Sequence, residues 1–157
     1  IKKSLPSIDD LGLHLSTIFT ENRLKQYIEL RSMDTCGWNC ICAGPAFFTG
    51  LLYGNLDEAL EFISKWKKED LLKAYKDAPM KGLDTILMGK DMIYWISNLL
   101  KIAKKGLEKR DFIGKSGTNE TKYLEHLNKI INNKETVASH VINKFSKFQN
   151  LEDLYDK

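Results

Sequence analysis

The chain has 157 residues, 43% hydrophobic and 29% charged, with a formal net charge of +3. At this length it can bury roughly 68–70% of its unfolded surface, enough for one domain with a core, and its ordinary composition excludes a disordered or collagen-like chain. A net +3 spread over 24 bases and 21 acids is too dilute for the concentrated basic face that nucleic acid requires.

The chain opens "IKKSLPSIDD", with no apolar run of the kind a signal peptide carries. Because it begins on Ile1 rather than Met, a processed or truncated product is expected. In "IDDLGLHLSTIF", Leu11, Leu15, Ile18 and Phe19 recur at helical spacing, and Asp9 or Asp10 suits the N-terminus of that helix. After Thr20-Glu21-Asn22 the period changes to two, which predicts a strand over Arg23–Leu30. "SMDTCGWN" reads as a loop, with Trp38 more readily a core aromatic than a lid or partner contact. Residues 41–53, "ICAGPAFFTGLLY", predict a buried helix with Pro45 in its first turn. That stretch is too short and too interrupted to span a bilayer, so no membrane partner is expected.

Asn55 is placed to cap "LDEALEFISKW", with Asp57 and Glu58 in the first turn. "KEDLLKAYKDA" is a further amphipathic helix closed by Pro79 and Gly82. "DMIYWISNLLKIAKKGLEKR" is the longest, with an apolar stripe of Ile93, Ile96, Leu99, Leu100, Ala103 and Leu107. Its Lys101, Lys104, Lys105 and Arg110 read as a solvated face. After "GKSGTN" come two more helical segments, "ETKYLEHLNKIINN" and "VASHVINKFSKF". Three cysteines, an odd number, do not make a disulfide framework and suggest a reducing, cytoplasmic setting. Cys36, Cys40 and Cys42 lack the second ligand pair of a structural zinc site and a nearby histidine to serve as base. No P-loop and no G-x-G-x-x-G occurs, and "NET" at Asn119 is read as a chance sequon.

The strand is the unusual element. Residues two apart on a strand share a face at a spacing of about 6.6 Å, so Arg23, Lys25, Tyr27, Glu29 and Arg31 form one row and Leu24, Ile28 and Leu30 the other. The plainer reading is a solvated charge ladder of little energetic consequence. The functional reading is a site for a metal-bound, phosphate-bearing substrate, with a carboxylate as hard oxygen ligand and a guanidinium two residues on for the oxyanion. A strand that feeds an apolar helix is expected inside the molecule, where charges must be paired or functional.

The stretch from His14 to Leu60 closely resembles the glutamate–cysteine ligases of the plant and proteobacterial type, in which "HLTT-F-P-VRLK-YLE-RGAD" precedes "PW--LCALPA-W-GLLY". The shared residues here are His14, Leu15, Thr17, Phe19, Arg23, Leu24, Lys25, Tyr27, Glu29, Arg31, Asp34, Trp38, Cys42, Ala43, Pro45, Ala46, Gly50, Leu51, Leu52 and Tyr53. The likeness continues more thinly through "KIAKKGLEKR" and "KYLEHLNKIINNKETVASHVINKF". Ser32-Met33 stands where the family has Gly-Ala, and Asn39-Cys40-Ile41 replaces a basic pair and Leu; neither touches Glu29 or Arg31.

The resemblance implies an α+β fold, the C-terminal part of a glutamine synthetase-like catalytic domain. One or two strands of the active-site sheet would be followed by about six mainly helical segments, with residues 1–157 one portion, strand-bearing to about 40 and helical beyond. It implies ATP-dependent ligation of the glutamate γ-carboxylate to the cysteine amine through a γ-glutamyl phosphate, with Mg²⁺ as cofactor. Glu29 would then be the metal ligand and Arg31 the anion clamp, with Arg23, Lys25 and Tyr27 as further substrate or phosphate contacts and Asp34 as a support. The substrates would be glutamate, cysteine and ATP, and a homodimer is allowed. The chain alone is expected to be inactive. Two alternatives stay open: a related ligase with another amine acceptor, and a non-catalytic helical interaction module.

Overall fold

The computed structural model describes residues 5–34 and 36–145, which divide into two compact units, one up to residue 35 and one from residue 36 onward. The class is α+β, as the sequence predicts: helices predominate, accompanied by two small antiparallel hairpins.

The first unit holds helix α1 (Ile8–Thr17), strand β1 (Asn22–Leu24) and strand β2 (Ile28–Leu30). Asp9 and Asp10 lie in the first turn of α1, as expected, and the N-cap itself is Ser7: its hydroxyl accepts from the Asp10 amide at 3.2 Å while the Asp10 carboxylate accepts from the Ser7 amide at 2.7 Å. This reciprocal box satisfies two amides that an N-terminus otherwise leaves open. The strand predicted over Arg23–Leu30 is instead a hairpin. β1 and β2 pair antiparallel with Asn22 opposite Leu30, Arg23 opposite Glu29 and Leu24 opposite Ile28. Lys25, Gln26 and Tyr27 form the turn, closed by the Lys25 amide donating to the Tyr27 carbonyl at 2.8 Å. Without Gly, Pro or Asn, that turn carries no sequence signal.

The second unit begins with a 3₁₀ turn, Trp38–Cys40, and helix α2 (Ala43–Thr49), which continues into a π-helical turn, Gly50–Gly54. Helices α3 (Leu56–Ile63) and α4 (Lys68–Lys81) follow, then a second hairpin of β3 (Ile86–Leu87) and β4 (Lys90–Asp91), and the long helix α5 (Met92–Arg110). A 3₁₀ turn, Glu120–Leu124, leads into α6 (Glu125–Asn133), and α7 (Val137–Phe145) ends the described chain. Helix α4 runs through Pro79 to Lys81 and stops at Gly82, whose φ of +52° suits glycine. The second hairpin turns on Met88 and Gly89, both at positive φ, as a two-residue primed turn requires.

Three apolar clusters surround α5. Leu100 and Leu107 meet Ala46 and Leu124, Ile102 and Ala103 meet Leu51 and Ala59, and Trp95 meets Ala74 and Leu87. Because different elements cover different sides, α5 buries Trp95, Ile102 and Gly106 beyond the stripe read from its period. Trp95 donates its indole N–H to the Leu87 carbonyl at 2.8 Å and is ringed by Phe62, Trp66 and Tyr94. Gly50 and Gly54 let the π-helical turn lie directly on the α5 backbone at Ala103 and Gly106: a Cβ at any of the three glycines would fall under 3.0 Å from opposing main-chain atoms. Asn55 occupies the N-cap of α3, yet its buried side chain leaves the helix amides alone. It donates to Glu58 at 2.6 Å and accepts from Lys109 at 2.7 Å, tying α3 to α5.

Candidate active site

The charged hairpin is built on the C-terminal end of α1. Ser16 and Thr17 turn their hydroxyls back onto the carbonyls of Leu13 and His14, at 2.6 and 2.7 Å. The last carbonyls of the helix, where its dipole is negative, then face cations. Arg23 takes the first, its Nη1 donating to the Ser16 carbonyl at 2.7 Å. Its Nε and Nη2 both reach Glu29 Oε2, at 2.8 and 2.7 Å. Arg31 takes the second more loosely, its Nη1 lying 3.4 Å from the Ile18 carbonyl while its guanidinium sits 5.0 Å from the Phe19 ring centre. The Arg31 amide donates to the Glu21 carbonyl at 2.9 Å and extends the hairpin ladder by one rung.

The expectation of a single charged row is therefore corrected. Arg23 and Glu29 face each other across two strands, where opposite charges stabilise a pair directly, and Arg31 follows β2. Lys25 and Tyr27 sit exposed in the turn, and Asp34 is exposed beyond it. The sequence reading missed Phe19 and the Ser16 and Ile18 carbonyls as contacts, because only the fold brings the end of a helix onto a hairpin. The aromatic at position 19, which the helical spacing took in and which lies just past the end of α1, was the one trace of it.

The pieces have definite chemical capacities. Both bonds from Arg23 fall on Glu29 Oε2, and no bond to Oε1 is recorded among the described residues; a carboxylate oxygen is of the hard type that divalent cations take. Arg31 commits a single N–H among the described residues and retains the rest of its donor fork for an oxyanion. Glu29 cannot hold a metal unaided, and no group of three or more His, Cys, Asp or Glu suited to an ion occurs among the described residues. One carboxylate oxygen would suit Mg²⁺ as a partial ligand, and a full set would need ligands beyond the described residues.

The second unit adds to one reading and overturns another. Cys36 and Cys40 form a disulfide, leaving Cys42 free and exposed; a single local bridge is still not a framework of pairs. Trp38 is 86% exposed and is not a core aromatic. Lys101, Lys104, Lys105 and Arg110 lie on the open face of α5, as expected, with Lys105 paired to Glu58 at 2.8 Å and Arg110 to Glu120 at 3.5 Å. No described helix is long and apolar enough to cross a membrane.

A charged hairpin seated on the end of α1, together with a mainly helical second unit, makes this chain an α+β portion whose first unit brings together one carboxylate, Glu29, and two guanidiniums, Arg23 and Arg31. The family model for glutamate–cysteine ligase family 2 matches residues 3–151, and the chain belongs to that family. It is similar to the chloroplastic glutamate–cysteine ligases of Solanum lycopersicum, 33% identical over 139 residues, and of Arabidopsis thaliana, 33% identical over 144 residues. The corresponding ligase A of Oryza sativa subsp. indica is 33% identical over 143 residues. These matches take in 87–90% of this chain but 25–28% of the relatives, so the chain spans about a quarter of their length.

Proposed function

We propose that this chain supplies the carboxylate–guanidinium hairpin of an ATP-dependent ligase that joins the γ-carboxylate of glutamate to the amine of cysteine, the first step of glutathione synthesis. The observation that carries the reading is the unequal engagement of the hairpin's charges. Glu29 has one carboxylate oxygen that Arg23 does not take and Arg31 keeps most of its donors, in a chain belonging to the glutamate–cysteine ligase family. Phosphoryl transfer asks a protein mainly for positioning and for charge neutralisation, and these two side chains offer both.

Magnesium, when bound, neutralises phosphate charge. Glu29, through the carboxylate oxygen that Arg23 does not take, would be one of the groups that hold it. Arg31 presents its planar fork to the transferring phosphoryl group or to the substrate carboxylate, and stacking on Phe19 holds that fork. Lys25 and Tyr27, in the exposed turn, are outer contacts to the substrate. The other metal ligands and most of the nucleotide site belong to the three quarters of the family's length that this chain does not span, so the chain alone is inactive. The cytoplasmic setting is the expectation from cysteine usage taken with the short, broken apolar stretches of the sequence. The relatives carry the word chloroplastic in their names, and a Cys36–Cys40 bridge is opened in a reducing compartment.

The test is nucleotide turnover by the full-length polypeptide. ADP release should require both glutamate and cysteine, and Glu29→Gln and Arg31→Ala should each lower it by about 10²–10³-fold. Unchanged turnover in both variants would defeat the reading. Equal rates with cysteine and with simple amines would move it to a ligase with another acceptor.

A further inference from the structure

We infer that Arg23 is a positioning residue, which aims the Glu29 carboxylate at its cation and makes no contact with phosphate or substrate itself. The inference rests on the ligase reading for its setting and departs from the anion-binding role that Arg23 shares with Arg31 in that reading.

All three nitrogens of the Arg23 guanidinium are occupied within the hairpin and helix end. Nη1 is held by the Ser16 carbonyl at 2.7 Å, while Nε and Nη2 converge on Glu29 Oε2 at 2.8 and 2.7 Å. Arg23 is also the better shielded partner, its side chain 19% exposed against 33% for Glu29. Three of its five N–H donors are thus committed, against one of five for Arg31, and the remaining two sit on nitrogens already turned to Ser16 and Glu29. The geometry of Arg23 resembles that of groups that orient a metal ligand from behind. Two N–H bonds to one oxygen hold Oε2 in place and restrict rotation of the carboxylate about its last bond. The Ser16 carbonyl anchors the guanidinium in turn, at the negative end of α1, so the chain of contact runs from helix end to arginine to carboxylate. Among the described residues Arg31 makes one long bond and a ring contact, a lighter engagement than that of Arg23.

Lysine at position 23 keeps the charge but has no planar fork with which to meet Oε2 twice and Ser16 once. It should restore part of the function. Alanine should restore none.

The experiment uses the full-length polypeptide with Arg23→Ala and Arg23→Lys, each alone and combined with Glu29→Gln. Mn²⁺ affinity is measured by calorimetry, beside the Mg²⁺ concentration for half-maximal turnover and the KM for glutamate and cysteine. Arg23→Ala should weaken Mn²⁺ binding by about 10–100-fold and raise the Mg²⁺ requirement by a similar factor, with both KM values unchanged. Arg23→Lys should fall between. In the Glu29→Gln background, Arg23→Ala should weaken Mn²⁺ binding no further. An equal loss in both backgrounds overturns the inference, as does a raised KM for glutamate with Mn²⁺ affinity intact. Should wild type show no glutamate-dependent turnover, the ligase reading fails but the Mn²⁺ titrations still decide the role of Arg23; a wild type that binds no Mn²⁺ overturns it as well. If Arg23→Ala does not fold, Arg23→Gln and Arg23→Lys carry the same comparison.

Discussion

Among residues 5–34 the only side chains that are not exposed are Arg23, Glu29, Leu30 and Arg31, whereas among residues 36–145 the fully buried ones include Leu107, Leu124 and Thr85. The first unit is held by directional contacts: a capping box, carbonyls that accept from guanidiniums, and an ion pair across three rungs of a hairpin. The second is held by three apolar clusters around one helix. The leucines of α1 and the hairpin residues Leu24 and Ile28 stay exposed, so the first unit gains little from the hydrophobic effect. A two-stranded hairpin alone is marginal in water. Polar bonds set geometry well and contribute little net stability each, while apolar burial does the reverse. Side chains offered to a substrate sit naturally in the first kind of structure, and a scaffold in the second.

That contrast breaks first at the glycine seam. Gly106→Val puts a branched side chain into the main chain of Gly50, and neither the π-helical turn nor α5 has a flexible side chain there to move aside. Thermal unfolding should show a loss of about 3 kcal/mol or more, or no cooperative transition in the second unit. A stable Gly106→Val protein would mean that Gly106 and Gly50 do not meet main chain to main chain. Next comes Trp95→Phe, which leaves the buried Leu87 carbonyl without its donor and vacates part of an aromatic cluster. Denaturation followed by circular dichroism should register about 1–3 kcal/mol. Neither substitution should alter the Arg23–Glu29 pair, since both lie wholly within the second unit.

How much of this could be read from the sequence divides along the same line. Helical periods were legible through most of the second unit, because burying one face of a helix leaves a repeat in the chain. The stripe of α5 was only half read. A helix covered on several sides has no single stripe, and Gly106 and Ile102 point to partners that its own period does not reveal. In the first unit the charged residues stood out, but their partnership did not. A period-two run of Arg, Lys, Tyr, Glu and Arg looks like one strand, and the turn at Lys25–Tyr27 lacks the residues that mark turns. The Met88-Gly89 turn escaped for a similar reason, since Met at positive φ is an uncommon choice. The Cys36–Cys40 bridge was hidden by an odd cysteine count, which constrains a framework of pairs and says nothing about one local pair.

A smaller effect sharpens the contrast from the side of the first unit. Gly12 lies inside α1 with nothing near the position its Cβ would take. Gly12→Ala should stabilise α1 by roughly 0.5–1 kcal/mol, since only the backbone freedom of glycine is removed. Amide exchange should slow across residues 8–17 and stay unchanged across α5. The opposite sign would show that the surface at Gly12 is occupied in the folded protein.

The smallest effects belong to acid, and they separate the two kinds of polar bond. Glu58 is held below the usual glutamate range chiefly by the hydrogen bond from Lys105 and then by Asn55, and Asp10 below the aspartate range chiefly by the Ser7 amide and then by its hydroxyl. Both carboxyls are thus harder to protonate folded than unfolded. Each contribution is complete above the ordinary carboxylate range and lost as pH falls through the lowered folded value. Glu58→Gln should flatten the acid loss of stability in the second unit, and Asp10→Asn the acid loss of α1 helicity, with neither altering the slope near neutrality. Salt distinguishes them further. The Glu58–Lys105 attraction joins two exposed charges and is screened, so its share of the acid slope should shrink at high ionic strength. The Asp10–Ser7 box is a carboxylate bonded to neutral donors and should keep its share. Equal salt sensitivity at the two sites, measured as melting temperature against pH for the second unit and helicity against pH for α1, would remove the distinction between charge pairing and local hydrogen bonding.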